Sequence, residues 1–512
     1  MVRNPSPILA EPHIAEWATS WSSFDTKRAP SLSPSLSSGS DGLDGSIWSI
    51  PANDSLRSGS LTPPSLQSSG SRSSIGSLQA RTPPSLQADL DVHISTVVYS
   101  VLDSLRGKLD VIVDTYFRTT HTWLSIMHKP TFYRRLQSKT RSDASFSVLL
   151  LCMHLVAEPL THIGKDTEST TNLYHSAKSL HSVVLTSKGP SLDLVQAGIL
   201  IALCEHYQAV ANAPRDTLEN CKQIASHIGL DATVLLGDLT NNESSTSEEW
   251  KRTYWGLVAM DRIVAMKDEN RKLPLLLPRP PVDAVLPSSY DAVWLSSADG
   301  NPAPGWSQPV ASTLPVDASS FARQAQVLCV FGDIIKLTAC DFGSNPDLYL
   351  QEVLRLDCEI QKLLTKLLTD CKGSYTQYCC PISMSMCGIF FLHCFQLDAT
   401  AAGNGKPFQD AAARSRLAID KMVQITVDIL HVFPFEFIPE LSPPAFHCTY
   451  LALVMFLKLE QLYPGEPSSI SQRDFDMVLK AMTEFSTAWG VAGQYVDTIK
   501  QTQESQHRPA AQ

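Results

Sequence analysis

Three groups of residues have side chains whose types and spacing could do chemistry. Asn241, Ser245 and Glu249 stand at four-residue steps. On a helix they would share one face and offer hard oxygen ligands to magnesium. The acidic partner such a site requires, Asp-Asp-x-x-Asp upstream, is absent, and Asp110 and Asp114 stand singly among valines and isoleucine. The run Asn241–Ser247 reads as a loop ending in a helix cap, which makes the spacing a chance match in a Ser/Asn/Glu-rich segment. The second group is Cys379, Cys380, Cys387, His393 and Cys394. Cys380, Cys387 and Cys394 recur every seven residues and share a helical face, but two heptads rise about 21 Å, too far for one ion. With Ile389, Phe390, Phe391 and Leu392 among them, they read as thiols of a packed core. The third, Ala402-Gly403-Asn404-Gly405-Lys406, resembles a helix-to-helix turn more than a phosphate cradle. No Gly-x-Ser-x-Gly elbow and no Cys-x-x-Cys pair occurs. No catalytic residue and no metal ligand is therefore assigned.

The elements that would position these residues are helical. From about Val92 onward apolar residues recur at helical spacing: Val97, Val98, Val101, Leu102 and Leu105, then Leu109, Ile112, Val113, Tyr116 and Phe117, with a restart at Pro130. Further helices are expected near 146–157, 170–187, 191–211, 216–229 (with Gly229 as C-cap) and 247–266. A Pro-rich connection over 274–316 follows, then helices near 319–341, 347–370, 382–401, 409–431, 444–463 and 475–499. Strand-like alternation is scarce. The expected fold class is all-α: a large multi-helix domain over 91–500, with a disordered tail over 501–512.

Residues 1–90 differ. Roughly a quarter are serine, with frequent proline and glycine, a composition that buries too little apolar surface to offset its ordering entropy. A disordered Ser/Pro-rich N-terminal arm is expected. Thr62-Pro63-Pro64-Ser65-Leu66-Gln67 recurs as Thr82-Pro83-Pro84-Ser85-Leu86-Gln87, a low-complexity echo. Ser6, Ser33, Thr62 and Thr82 precede proline and are candidates for proline-directed phosphorylation, with composition bias the plainer reading. Within 8–25, Ile14, Trp17, Trp21 and Phe24 would form one apolar stripe on a helix, flanked by Glu11, Glu16 and Asp25. Such a segment folds onto a partner as activation segments do, or docks on its own body; the stripe alone fits both.

The 512 residues carry 41 basic and 51 acidic side chains, a formal net charge of −10, which argues against a whole-protein grip on nucleic acid or an anionic membrane. The twelve cysteines begin at Cys152 and sit among apolar residues, as reduced intracellular thiols do. The apolar stretches Phe146–Val156, Cys387–Phe395 and Tyr450–Leu457 are short for a bilayer, and Met1–Pro7 lacks a signal-peptide pattern. A soluble protein without membrane partners is expected.

One segment has a recognisable order. Glu248-Glu249-Trp250-Lys251-Arg252-Thr253-Tyr254-Trp255, followed by Met260-Asp261-Arg262, resembles the signature of the fungal-specific transcription factor domain, the regulatory region of fungal zinc binuclear-cluster regulators. Tyr254 stands where the family has the first of two tryptophans, and Lys251-Arg252 is a shortened basic run. Tyr116-Phe117 with His121–Phe132 resembles the family's opening segment, Cys221–Leu230 the helix before the signature, and Pro280-Pro281-Val282-Asp283 with Leu286-Pro287 the segment after it; Ala445–Leu457 is more weakly similar to a late helix. Read physically, Lys251, Trp255, Val258 and Arg262 share one stripe of a helix, Tyr254, Val258 and Asp261 an adjoining one, and Glu248 and Arg252 are an i,i+4 pair. The signature residues Glu248, Lys251, Arg252, Tyr254, Trp255, Asp261 and Arg262 are thus expected to build an anchor helix with a satisfied ionic network, a structural role.

The resemblance implies a nuclear transcription regulator, in a family that often controls metabolic or secondary-metabolite gene clusters, with room for a small-molecule effector between helices. The family usually reads DNA through six N-terminal cysteines holding two zinc ions, and no cysteine precedes Cys152. No zinc or other cofactor is expected in this chain, and direct DNA contact is unsupported. Arg134-Arg135 with Lys139 and Arg141 is the best basic patch and reads as a solvated face. The chain would reach promoters through the transcription machinery or another DNA-binding regulator, as homo- or heterodimer, or be a truncated form of a DNA-binding protein. The alternatives are a helical adaptor or inhibitor that dimerises with a full-length regulator, and an all-helical enzyme such as a terpene cyclase around Asn241, Ser245 and Glu249.

Overall fold

The computed structural model describes residues 84–104, 109–138, 143–161, 167–208, 212–236, 248–267, 274–288, 308–312, 318–340, 345–371, 375–401, 406–465 and 470–507, with Val210, Trp294 and Leu314. Among the described residues the fold is all-α: sixteen α-helices, two short 3₁₀ turns and no strand beyond one isolated antiparallel bridge, Val285 to Pro309. The stripe Ile14, Trp17, Trp21 and Phe24, the Ser/Thr-Pro sites and the tail beyond 507 lie outside the described residues.

The helices are α1 (Pro84–Ser104), α2 (Leu109–Arg118), α3 (Thr120–Trp123), α4 (Lys129–Gln137), α5 (Ala144–Thr161), α6 (Thr167–Lys188), α7 (Leu192–Tyr207), α8 (Ala213–His227), α9 (Glu248–Ala265), α10 (Ser320–Thr338), α11 (Pro346–Cys371), α12 (Tyr375–Ala401), α13 (Lys406–Val432), α14 (Pro443–Leu462), α15 (Gln472–Ser486) and α16 (Gly490–His507). Two helices act as hubs. α5 packs against α1, α2, α6 and α7; α12 packs against α10, α11, α13 and α14. Their sequences explain it: α5 carries Val148, Leu149, Leu150, Leu151 and Cys152 in succession, all buried, and a helix apolar on every side must be surrounded. α9 joins the two groups, touching α7 and α8 on one side and α10 on the other.

Local chemistry sets several boundaries. Gly229, at φ +79°, ends α8: the Leu230 N–H reaches the Ala225 carbonyl at 2.8 Å and the Gly229 N–H the Ser226 carbonyl at 3.1 Å. That is a left-handed terminus with both late carbonyls satisfied. Ser471 opens α15 with a capping box: its hydroxyl accepts the Asp474 N–H at 3.3 Å and its own N–H donates to Asp474 at 2.9 Å.

Four expectations change. The helix expected over 475–499 is two, α15 and α16, because the chain turns at Thr487–Trp489 to bury Trp489 against Tyr207, and α16 runs on to His507, so residues 501–507 of the expected disordered tail are helical. α1 begins at Pro84, inside the expected arm, with proline at a first-turn position where its missing N–H costs nothing. α12 begins at Tyr375 and runs through Pro381, so Thr376–Thr400 is long and apolar enough to cross a membrane by length and composition, although most of it is buried in this fold.

Candidate functional site

The signature residues converge on one structure. Six of the seven, all but Lys251, are buried, and α9 is buried on nearly every side from Arg252 to Ile263 rather than along a stripe. The side not covered by α7, α8 and α10 is closed by the chain segment 274–288, and the signature's polar atoms hold that segment in place.

At the start of α9, Arg252 Nε donates to Glu248 Oε1 at 2.8 Å, and the same oxygen accepts the Ser288 N–H at 2.6 Å. Arg252 Nη1 donates to Ser125 Oγ at 3.0 Å, and the guanidinium carbon lies 3.9 Å from the centre of the Trp294 ring. Glu249 faces the other way, accepting the His128 N–H at 3.2 Å and the Gln196 amide at 3.3 Å. Burial pushes its carboxyl above the usual range despite those two bonds. Gln196 also donates to the Ile126 carbonyl at 3.0 Å. His128 Nε2 donates to the Trp294 carbonyl at 2.8 Å, which leaves Nδ1 to accept the Thr131 hydroxyl at 2.7 Å. His121 lies nearly parallel to Trp294, 6.0 Å centre to centre, and burial pushes it down to about 3.

Further along, Trp255 Nε1 donates to the Val285 carbonyl at 3.2 Å. Asp261 accepts the N–H groups of Leu276 and Leu277, each at 3.0 Å, and Arg262 Nη1 at 2.6 Å. Arg262 Nη2 donates to the carbonyls of Leu277 at 3.1 Å and Pro278 at 3.2 Å. The signature is therefore a clamp: one helix binds Leu276, Leu277, Pro278, Val285 and Ser288 behind it, and Ser125 and His128 ahead of it. A Pro-rich segment has too few N–H groups to form a ladder of its own, so its carbonyls need donors from elsewhere. Trp255 and Arg262 supply them, with Arg252 Nη2 donating to the Ser288 carbonyl at 3.5 Å.

Other sequence-flagged residues do not join this site. Asn241 and Ser245 lie outside the described residues, as do Gly403, Gly405, Lys139 and Arg141. Arg135 is committed to Asp193, at 2.8 and 2.6 Å, and to Asp143 at 3.1 Å. Cys379, Cys387 and Cys394 each reach α14 or its start, at Ser442, Pro444 and Lys458 respectively, in an order that makes α12 and α14 run in the same direction. Among the described residues no group of three or more His, Cys, Asp or Glu side chains is placed to hold a metal ion.

Two polar groups carry no signal in the sequence, although His393 itself stands in the cysteine-rich run. His393 bonds Asp357 on α11 and Ser415 on α13, each at 3.1 Å. This has the composition of a hydrolase triad, yet Ser415 is fully buried and donates its hydroxyl to Gln396 at 2.6 Å, so it ties three helices together and offers no nucleophile. His206 on α7 meets His447 on α14 at 3.1 Å, and His447 meets the Tyr495 hydroxyl on α16 at 3.1 Å. Burial holds His206 down at about 3 and His447 well below its ordinary value. Single histidines far apart in the chain leave no sequence pattern.

Residues 113–294 match the fungal specific transcription factor domain. The match ends at Trp294, the residue that covers Arg252. The chain is also similar to the transcription factor BOA15 of Botryotinia fuckeliana (strain B05.10), 32% identical over 154 residues, covering 29% of this chain and 81% of that protein. This chain belongs to the fungal specific transcription factor domain family. No solved structure matches it. The family region thus spans α2 to Trp294, with the clamp at its end. The weaker likeness of Ala445–Leu457 lies beyond the match.

Proposed function

We propose that this chain is a nuclear transcription regulator that governs a metabolic or secondary-metabolite gene cluster and reaches promoters through another DNA-binding regulator or the transcription machinery. Its work is regulatory rather than catalytic, as family membership implies. The supporting observation is the state of the signature: Glu248, Arg252, Asp261 and Arg262 direct their charges inward to backbone and to each other, which suits a scaffold that holds segments in register and leaves nothing poised for bond-making. Arg135 of the basic patch is likewise engaged, with Asp193. No zinc cluster of this chain's own enters the reading, and the promoter contact belongs to the partner.

The test is a strain lacking this gene, compared with its parent by transcript profiling, with a fluorescent fusion scored for nuclear enrichment. Coordinated loss of a contiguous set of transcripts and a nuclear signal are expected. Unchanged transcripts in the deletion strain overturn the reading. A rise in the same transcripts on deletion, with a fall on overexpression, identifies an inhibitor of a full-length regulator instead.

A further inference from the structure

One group outside the clamp combines a thiol, an amine and a carboxylate. Cys394 lies on α12 and Lys458 on α14. Lys458 Nζ is 3.4 Å from Cys394 Sγ and 2.5 Å from Asp398 Oδ1, and Asp398, one turn beyond Cys394, has its other oxygen 3.9 Å from the same sulfur. The lysine side chain is 25% exposed and the aspartate 58%, so small solutes reach the group. Cys152, Cys204, Cys221, Cys380, Cys387 and Cys448 are all buried, and none of the twelve cysteines is in a disulfide. Burial pulls Lys458 down, but the Cys394 sulfur and Asp398 outweigh it and the lysine stays above its ordinary value, an ammonium against the sulfur. A thiol beside an ammonium, within reach of solvent, has the setting of a reactive cysteine. Both residues sit within long helices of the α12 core, so their approach is fixed by packing and does not depend on a loop.

We propose that Cys394 and Lys458 form a peroxide-sensitive modification site, in which the oxidised sulfur is captured by the lysine amine as a sulfur–nitrogen cross-link between α12 and α14. In the first step the Cys394 thiolate attacks one oxygen of hydrogen peroxide. The O–O bond breaks, the sulfur gains a hydroxyl as sulfenic acid, and the departing hydroxide takes a proton from the Lys458 ammonium and leaves as water. The sulfur has lost two electrons and the peroxide has gained them. The sulfur no longer carries a negative charge, and the amine that gave its proton to the departing hydroxide faces it neutral. In the second step its lone pair attacks the sulfur, the S–O bond breaks, and the hydroxyl leaves as water with a proton from nitrogen. The net change is one peroxide consumed, two waters formed and two hydrogens lost from the protein. An added dithiol reverses it, reducing the S–N bond to thiol and amine while becoming a disulfide. This site does not depend on the regulatory reading above.

The test is peptide mapping of the full-length chain by mass spectrometry after hydrogen peroxide treatment. A joined pair of peptides containing Cys394 and Lys458, lighter by two hydrogens than their sum and absent after dithiothreitol, is expected. Lys458→Arg keeps the charge facing Asp398 but cannot form this link. It is expected to lose the joined pair and to leave Cys394 sulfenic acid trapped by dimedone. Three results on the wild-type chain each overturn the proposal, whatever the variant does. They are Cys394 left unmodified at a dose that oxidises the exposed Cys340, Cys394 oxidised with no joined peptide, and a joined peptide heavier by one oxygen.

Discussion

Arg252 shows how one residue can hold several chain segments. Its guanidinium reaches Glu248 and Ser125 and lies under Trp294, with no exposed surface of its own. Arg252→Met removes the cation and leaves Glu248 buried without its counter-charge. A loss of about 3–5 kcal/mol is expected, read from the urea midpoint of the purified chain. Replacing both members, Glu248→Leu with Arg252→Met, should cost less than the sum of the single changes, because no uncompensated charge remains. The buried histidines make a second prediction. His121 and His206 are held at about 3 and His447 well below its ordinary value, in each case mainly by burial, while in the unfolded chain each titrates near 6.5. The unfolded state therefore takes up protons first on acidification. The stability is intact above pH 6.5 and falls as pH drops toward 3, by as much as about 1.4 kcal/mol per pH unit for each histidine. Urea midpoints at pH 7.5 and 5 test this, and His206→Phe with His447→Leu should flatten part of the slope.

Two close contacts rest on glycine, one between helices and one between a helix and a connection. A Cβ on Gly198 of α7 would stand 2.2 Å from Cys221 Sγ on α8, and one on Gly256 of α9 would stand 2.4 Å from Ile126 Cγ2. The absence of a side chain lets α8 approach α7 and the connection 124–128 approach α9, and overpacking such a contact costs about 1–3 kcal/mol. Gly198→Ala should destabilise the chain by that order, read as a lower thermal midpoint. Cys221→Ala in the same chain should recover most of it, since the Cys221 Cβ lies 3.9 Å away, an ordinary contact. Failure of the rescue would mean that His181, 3.5 Å from the same point, is the true obstacle. At the end of the clamp, a Cβ on Gly332 of α10 would stand 3.4 Å from Arg262 Nε, an ordinary contact, so Gly332→Ala is expected to be tolerated beside the guanidinium that holds Leu277 and Pro278.

Across the whole molecule, the family region and the C-terminal helices are joined through buried polar contacts. α7 meets α14 and α16 through His206, His447 and Tyr495, and the tilted rings of Tyr207 and Trp489 pack with their centres 3.8 Å apart. α9 contacts both α7 and α10 and holds segment 276–288, so that segment is linked to both groups of helices. Tyr495→Phe should therefore weaken a link between the two groups of helices rather than one helix. Faster hydrogen exchange is expected in both α14 and α16, with α2 and α4 unchanged; a change confined to α16 would refute the coupling.

The helical class, most helix positions, the Gly229 terminus and the Glu248–Arg252 pair were legible in the sequence, because each rests on interactions within a few residues: helical periodicity, a left-handed cap, a four-residue step. The signature order gave the family for the same reason, since its parts are contiguous. What tertiary structure alone decided was where those side chains are spent. Nothing near Asp261 says that its partners are the N–H groups of Leu276 and Leu277, and nothing near His393 says that Asp357 and Ser415 complete it. The stripe expected on α9 became burial on nearly every side, and the single helix over 475–499 broke to place Trp489 on Tyr207, because burial is set by neighbours distant in the chain. Local periodicity fixes which residues share a face; only the assembled core fixes what that face meets.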